Sequence, residues 1–132
     1  MNNLQRDKYL KQSMQTVPPA QLLIMLYDGA IRFTKLAIEA IEKKDFVQAH
    51  KNIIKSQDIV QEFIITLDRD ASVSEGLLKL YDYFYYLLVQ ANVKKDVKPL
   101  HEVLEYLTEL KETWVQAARL AIQTTKIGGG HG

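Results

Sequence analysis

Apolar residues recur at helical spacing along four stretches, each bounded by capping or breaking residues. After Pro18-Pro19, positions Leu23, Leu26, Ala30, Phe33, Ala37 and Ile41 fall on one line of a helical wheel, and Ile24, Ile31 and Ile38 on a second line beside it. Together the two lines sweep roughly 220°, against the ~100° stripe that suits a helix half exposed to water. Such width needs cover, from helices on both sides or from a partner. The pattern predicts a first helix to about Lys43. Asp45, with Gln48 three residues on, opens a second that runs to about Asp68. Ser72-Val73-Ser74-Glu75 reads as a capping box and starts a third helix at Val73 or Ser74, ending near Ala91. A fourth follows Asn92–Asp96, takes Pro99 in its first turn and continues to about Ile122.

The short connections make neighbours antiparallel, so the expected fold is all-α, an antiparallel up-down-up-down four-helix bundle over residues 18–124. Residues 1–17 are polar and weakly patterned and form a mobile N-terminal arm, docking as a short helix or an extended strap; residues 125–132 form a disordered Gly-rich tail. In the second helix the core line is Ala49, Ile53, Val60, Ile64 and Leu67, flanked by Val47, Ile54 and Ile65. In the third, Leu77, Leu80, Tyr81, Phe84, Leu88 and Ala91 are flanked by Leu78, Tyr85 and Val89, with Tyr83 and Tyr86 further round. In the fourth, Val103, Leu107, Leu110, Trp114, Ala117 and Ala121 alternate by four and three, the spacing of bundle packing, and are expected in the core.

Composition narrows the function classes. The 132 residues suffice for one domain with its own core. Cysteine is absent, which removes thiol chemistry and thiolate metal sites and fits a reducing compartment. Seventeen basic against sixteen acidic residues leave no global field for nucleic acid or anionic membrane. The amino terminus has no signal-peptide pattern, and no apolar run approaches the ~20 residues of a bilayer span. The expectation is a cytoplasmic protein without membrane insertion or nucleic-acid binding, whose partner is held by shape and apolar contact.

Catalytic and metal constellations are missing from the sequence. A di-iron carboxylate bundle needs Glu-x-x-His on two helices, whereas Val47 precedes His50 and Lys98 precedes His101 by three. His50 reads as a hydrogen-bonded border histidine. Glu102, Glu105, Glu109 and Glu112 read as a solvated helix face, and Lys43, Lys44, Lys51 and Lys55 as a mixed-charge surface. No phosphate loop, no Ser/His/Asp set and no HExxH motif occurs, so no enzyme, cofactor or metal is expected. The residues left over are apolar flanks: Ile54, Ile65, Leu78, Tyr85 and Val89 lie beside a core line instead of on it and are the expected partner contacts. Tyrosine there offers a rigid apolar face with a polar tip that tolerates water.

The same residues carry a family resemblance. Pro19-x-x-Leu22-x-x-Met25-Leu26-Tyr27-Asp28-Gly29-x-x-x-Phe33, then Gln57-x-Ile59-x-x-Glu62 with Thr66-Leu67-Asp68, then Leu80-Tyr81-Asp82-Tyr83 and Leu88-x-x-Ala91-Asn92, then Leu100-x-Glu102-Val103 and Trp114, resemble the FliS family of flagellar secretion chaperones from about Tyr9 to Ala118. The chain departs at Pro18, where the family often has Ser or Thr, and at Arg6, where a second arm tyrosine often falls. The resemblance implies a cytoplasmic bundle that binds the disordered C-terminal segment of flagellin, prevents premature polymerisation and delivers it to the flagellar type III export gate. Tyr27 joins the expected partner contacts. The arm, through Tyr9, Leu10 and Met14, is expected to cover an apolar groove until flagellin displaces it. The competing reading is a structural bundle closing on itself as a homodimer through its apolar stripes.

Overall fold

The computed structural model describes residues 19–129, with side chains to residue 123. Four helices follow in order: α1 Pro19–Glu42, α2 Phe46–Thr66, α3 Ser74–Lys94 and α4 Val97–Gly129. Helix α1 packs on α2 and α4, and α3 packs on α2 and α4, so the four close into an antiparallel ring, the expected all-α bundle. The arm and the residues that were to cap a groove from it, Tyr9, Leu10 and Met14, lie outside the described residues.

Local chemistry sets the boundaries. Pro19 opens α1, where its missing N–H would have been unpaired anyway. The Asp45 carboxylate caps α2 by accepting from the Gln48 N–H at 3.2 Å, as the sequence predicts. Asp96 does the same for α4, accepting from the Lys98 N–H at 3.0 Å. The expected capping box at Ser72 does not form. Helix α3 starts at Ser74 after Val73, which makes no side-chain cap, and the Ser74 hydroxyl instead donates back to the Arg69 carbonyl at 3.0 Å. Helix α4 outruns its expected end, and the tail through Gly129 is helical: nothing between Ile122 and Ile127 breaks a helix already propagating. At 33 residues it spans about 50 Å, against about 36 Å for the 24 of α1.

Two turns at one end are tight. Lys43–Asp45 joins α1 to α2 and Lys95–Asp96 joins α3 to α4, each with a lysine at positive φ, Lys44 at 60° and Lys95 at 51°. At that end small residues let the helices approach: Ala37, Ala49 and Ala91 are fully buried. Nearer the middle, Gly29 lets α2 come close, since a Cβ there would meet Ile59 Cδ1 at 3.2 Å. The Thr34 hydroxyl bonds the Ser56 hydroxyl at 3.0 Å, and Ser56 donates to the Ala30 carbonyl at 3.3 Å, so both buried side chains are satisfied.

Above this layer the core is aromatic. Phe63 stacks on Tyr27 with centroids 4.4 Å apart and leans on Tyr81 at 5.1 Å, while the two phenols hydrogen-bond at 2.7 Å. The sequence reading placed Tyr27 among partner contacts; it is fully buried, because its ring completes this stack and its hydroxyl is consumed by Tyr81. Burial pushes the Tyr27 phenol far above the ordinary 10.0, with the neighbouring Tyr81 adding to the rise. Tyr81 is likewise raised by burial, its bond to Tyr27 working the other way.

Candidate apolar binding grooves

Helix α2 runs antiparallel to α3, and cross-helix contacts fix their register. The Asn92 amide bonds His50 Nδ1 at 2.9 Å, and the Gln61 amide donates to the Tyr85 hydroxyl at 3.4 Å. His50 is thus the hydrogen-bonded border histidine its sequence position suggests. In this register Ile54 stands level with Val89 and Ile65 with Leu78. Ile54 and Val89 do meet: with Gln57, Asn92, Val93 and Lys95 they line a groove of about 310 Å³. Lys95 is drawn to its rim by bonds from Nζ to the Asn92 carbonyl at 2.6 Å and side-chain oxygen at 2.5 Å.

The five flank residues therefore share one face of the α2–α3 pair at different depths. Ile65 is 75% exposed and Ile54 37% exposed, whereas Leu78, Tyr85 and Val89 are half-buried. Tyr85 also rests against the bundle core, and only its hydroxyl reaches Gln61.

A larger feature was missed. At the end of the bundle away from the tight turns, Pro19, Leu22, Leu23 and Leu26 of α1 face Trp114, Ala117, Ala118 and Ala121 of α4 across a groove of about 470 Å³. A second hollow of about 200 Å³ adjoins it through Leu23, Thr66 and Trp114 and extends between α2 and α3 past Phe63, Leu67 and Leu77. Trp114 stands at the junction, half-buried and packed against the core. Its indole N–H is buried without a partner in good geometry, although it lies toward the Tyr27 phenol and works against the rise there. The α4 stripe is core only through Leu107: Leu100, Val103 and Leu107 are fully buried, Leu110 and Trp114 half-buried, Ala117 and Ala121 exposed. The sequence held a clue. A stripe that shrinks from Leu and Trp to Ala while facing leucines leaves a trough between two apolar walls.

The Asp28 carboxylate and Lys111 ammonium, 2.5 Å apart, tie α1 to α4 beside this groove, a half-exposed pair of small energetic weight. Among the described residues, no group of His, Asp or Glu is arranged to hold a metal ion, and no helix is long and apolar enough to cross a membrane.

These features define an all-α four-helix bundle with elongated apolar grooves between its helix pairs. The sequence pattern of the family described as flagellar protein FliS matches residues 1–121. The chain is 42% identical over 109 residues to the flagellar secretion chaperone FliS of Bacillus subtilis (strain 168), covering 83% of this chain and 82% of that protein. It is 31% identical over 115 residues to the protein of that name from Campylobacter jejuni, covering 86% and 90%. To that of Salmonella typhimurium it is 27% identical over 110 residues, covering 81% and 82%. The chain belongs to the FliS family of flagellar secretion chaperones.

Proposed function

We propose that this protein is a cytoplasmic export chaperone that binds the disordered C-terminal segment of flagellin, prevents its premature polymerisation and delivers it to the flagellar type III export apparatus. The observation that carries this reading is the apolar groove of about 470 Å³ around Trp114, continuous with the hollow between α2 and α3. Long troughs of this shape suit amphipathic helical segments that order on binding, unlike the compact pockets that enclose small molecules. Ile54, Ile65, Leu78, Tyr85 and Val89 extend the contact along α2–α3. Trp114 replaces the buried Tyr27 as the aromatic anchor. In the free chain the arm residues Tyr9, Leu10 and Met14 cover part of this surface, joined to it directly through Pro19 at the groove's rim.

Calorimetry with a peptide of the flagellin C-terminal segment tests the reading. Ile54→Asp, at an exposed position, should abolish the binding heat while leaving helicity and melting temperature nearly unchanged, whereas Tyr85→Asp should abolish it and also lower the melting temperature, because that ring rests against the core. Deleting residues 1–14 should leave the bundle folded, raise dye binding to apolar surface and change the peptide affinity. If the full chain gives no heat and sediments as a stable dimer, it is the homodimer through the apolar stripes, and the chaperone reading fails.

A further inference from the structure

The flank of α3 turned toward α4 differs in chemistry from the grooves. Tyr83, Tyr86 and Tyr106 are 39%, 56% and 36% exposed, yet their rings are organised. Tyr83 stacks near Tyr86 with centroids 6.4 Å apart and meets Tyr106 edge-on at 6.5 Å, while Tyr106 rests on the buried Phe84 at 5.6 Å. The Tyr83 hydroxyl donates to the Glu102 carboxylate, and that bond pushes its pKa up to about 12.

Along the same face Glu102, Glu105 and Glu109 join Tyr106 in lining a cleft of about 240 Å³, and Asp82 is exposed on α3 next to Tyr83 in the chain. Among the described residues none of these four carboxylates makes an ion pair: Lys79 is committed to Glu75 at 3.7 Å and Lys111 to Asp28. Glu105 and Glu109 stand one helical turn apart and repel each other. A chain of net charge +1 thus concentrates unneutralised acid around an aromatic platform.

We propose that this α3–α4 face is a second docking surface, which takes an arginine-bearing segment of another protein while the apolar grooves hold their own partner. Charge complementarity selects the occupant. A guanidinium can stack on a tyrosine ring and present its fork of N–H donors to the glutamates at once. A purely apolar helix would strip water from the carboxylates without compensation, and nucleic acid would be repelled. The site shares no lining residue with the grooves, so it stands or falls apart from flagellin binding.

The test is a ¹⁵N–¹H titration of the full chain with the peptide acetyl-Arg-Ala-Ala-Arg-amide, repeated with its citrulline analogue and on E102Q/E105Q/E109Q. Those are surface changes, and circular dichroism checks that the fold is kept. Saturable shifts confined to residues 82–86 and 102–109, absent with citrulline and weakened roughly fivefold or more in the triple variant, support the proposal. Shifts scattered over the surface without saturation, or unaltered by the triple variant, overturn it. So does self-association of the chain that the triple variant abolishes, which would assign the face to a second copy of this protein, docking through Lys43, Lys44, Lys51 and Lys55.

Discussion

The two ends of this bundle are built from the same helices by opposite means. At the closed end the connections are two and three residues long, and fully buried alanines, Ala37, Ala49 and Ala91, make up the packing between helices. Toward the grooved end, where a seven-residue connection, 67–73, joins α2 to α3, the core is filled by the stacked rings of Tyr27, Phe63 and Tyr81. Facing Leu22, Leu23 and Leu26 there are the small Ala117, Ala118 and Ala121, which do not fill the space between α1 and α4, so a trough remains. Amphipathic spacing establishes that a stripe will be covered. Side-chain volume on both walls decides whether the protein itself covers it.

The largest effect should come from setting one half of α4 against the other. Leu107→Ala, at a fully buried position, should lower unfolding stability by about 2–5 kcal/mol through lost burial and a residual cavity. Trp114→Ala, seven residues along the same stripe, should cost roughly 1–2 kcal/mol because the indole is only half-buried. It should instead weaken flagellin-peptide binding roughly tenfold or more, as a central aromatic anchor does. Urea denaturation and calorimetry on both variants decide the matter. Equal destabilisation with unchanged binding would erase the distinction between the ends.

This comparison also explains what could be read from the chain beforehand. Helix number, order and the cap at Asp45 follow from local patterning and are realised. Of the flank residues, Ile54 and Val89 come together in one groove, as antiparallel register requires, whereas Ile65, Leu78 and Tyr85 line none of the grooves described above. Tyr27 was not legible, since a tyrosine in a binding motif and a tyrosine in a core look alike until Tyr81 is seen to take its hydroxyl. Thr34, Ser56 and Gln57 escaped the core lines because polar residues carry no hydrophobic periodicity, although all three are buried. The Trp114 groove was hidden because its walls come from helices far apart in sequence, and its stripe has the spacing of a core.

The aromatic layer between the two ends offers a gentler probe. Tyr27→Phe keeps the ring stack with Phe63 but leaves the Tyr81 hydroxyl buried without its partner, at a cost of about 1–3 kcal/mol. Its pH signature is distinctive. Burial raises the folded-state pKa of Tyr27 above the 10.0 of the unfolded chain, so the phenol contributes its full stability below pH 10. Above that the unfolded state ionises first, and stability falls. Denaturation midpoints should decline above pH 10 in the parent protein and decline less steeply in Tyr27→Phe. An identical decline in both would mean that the layer opens to water, making the aromatic core part of the grooved end.

The smallest effect belongs to the closed end, and it raises stability. Lys44 holds the left-handed conformation at φ 60°, which lets the Asp45 N–H reach the Ala40 carbonyl at 2.8 Å and close α1 against α2. A side chain with a Cβ pays about 1 kcal/mol for that geometry, and glycine does not. Lys44 is exposed and makes no ion pair among the described residues, so Lys44→Gly removes no contact that offsets the gain. The variant should be more stable by about 0.5–1 kcal/mol, the glycine's extra freedom in the unfolded chain taking back part of the relief. Thermal unfolding measures the gain, and peptide affinity should stay the same because Lys44 lines none of the apolar grooves. A change in affinity would show that tightening one end alters the troughs at the other, so that the two ends act as one mechanical unit.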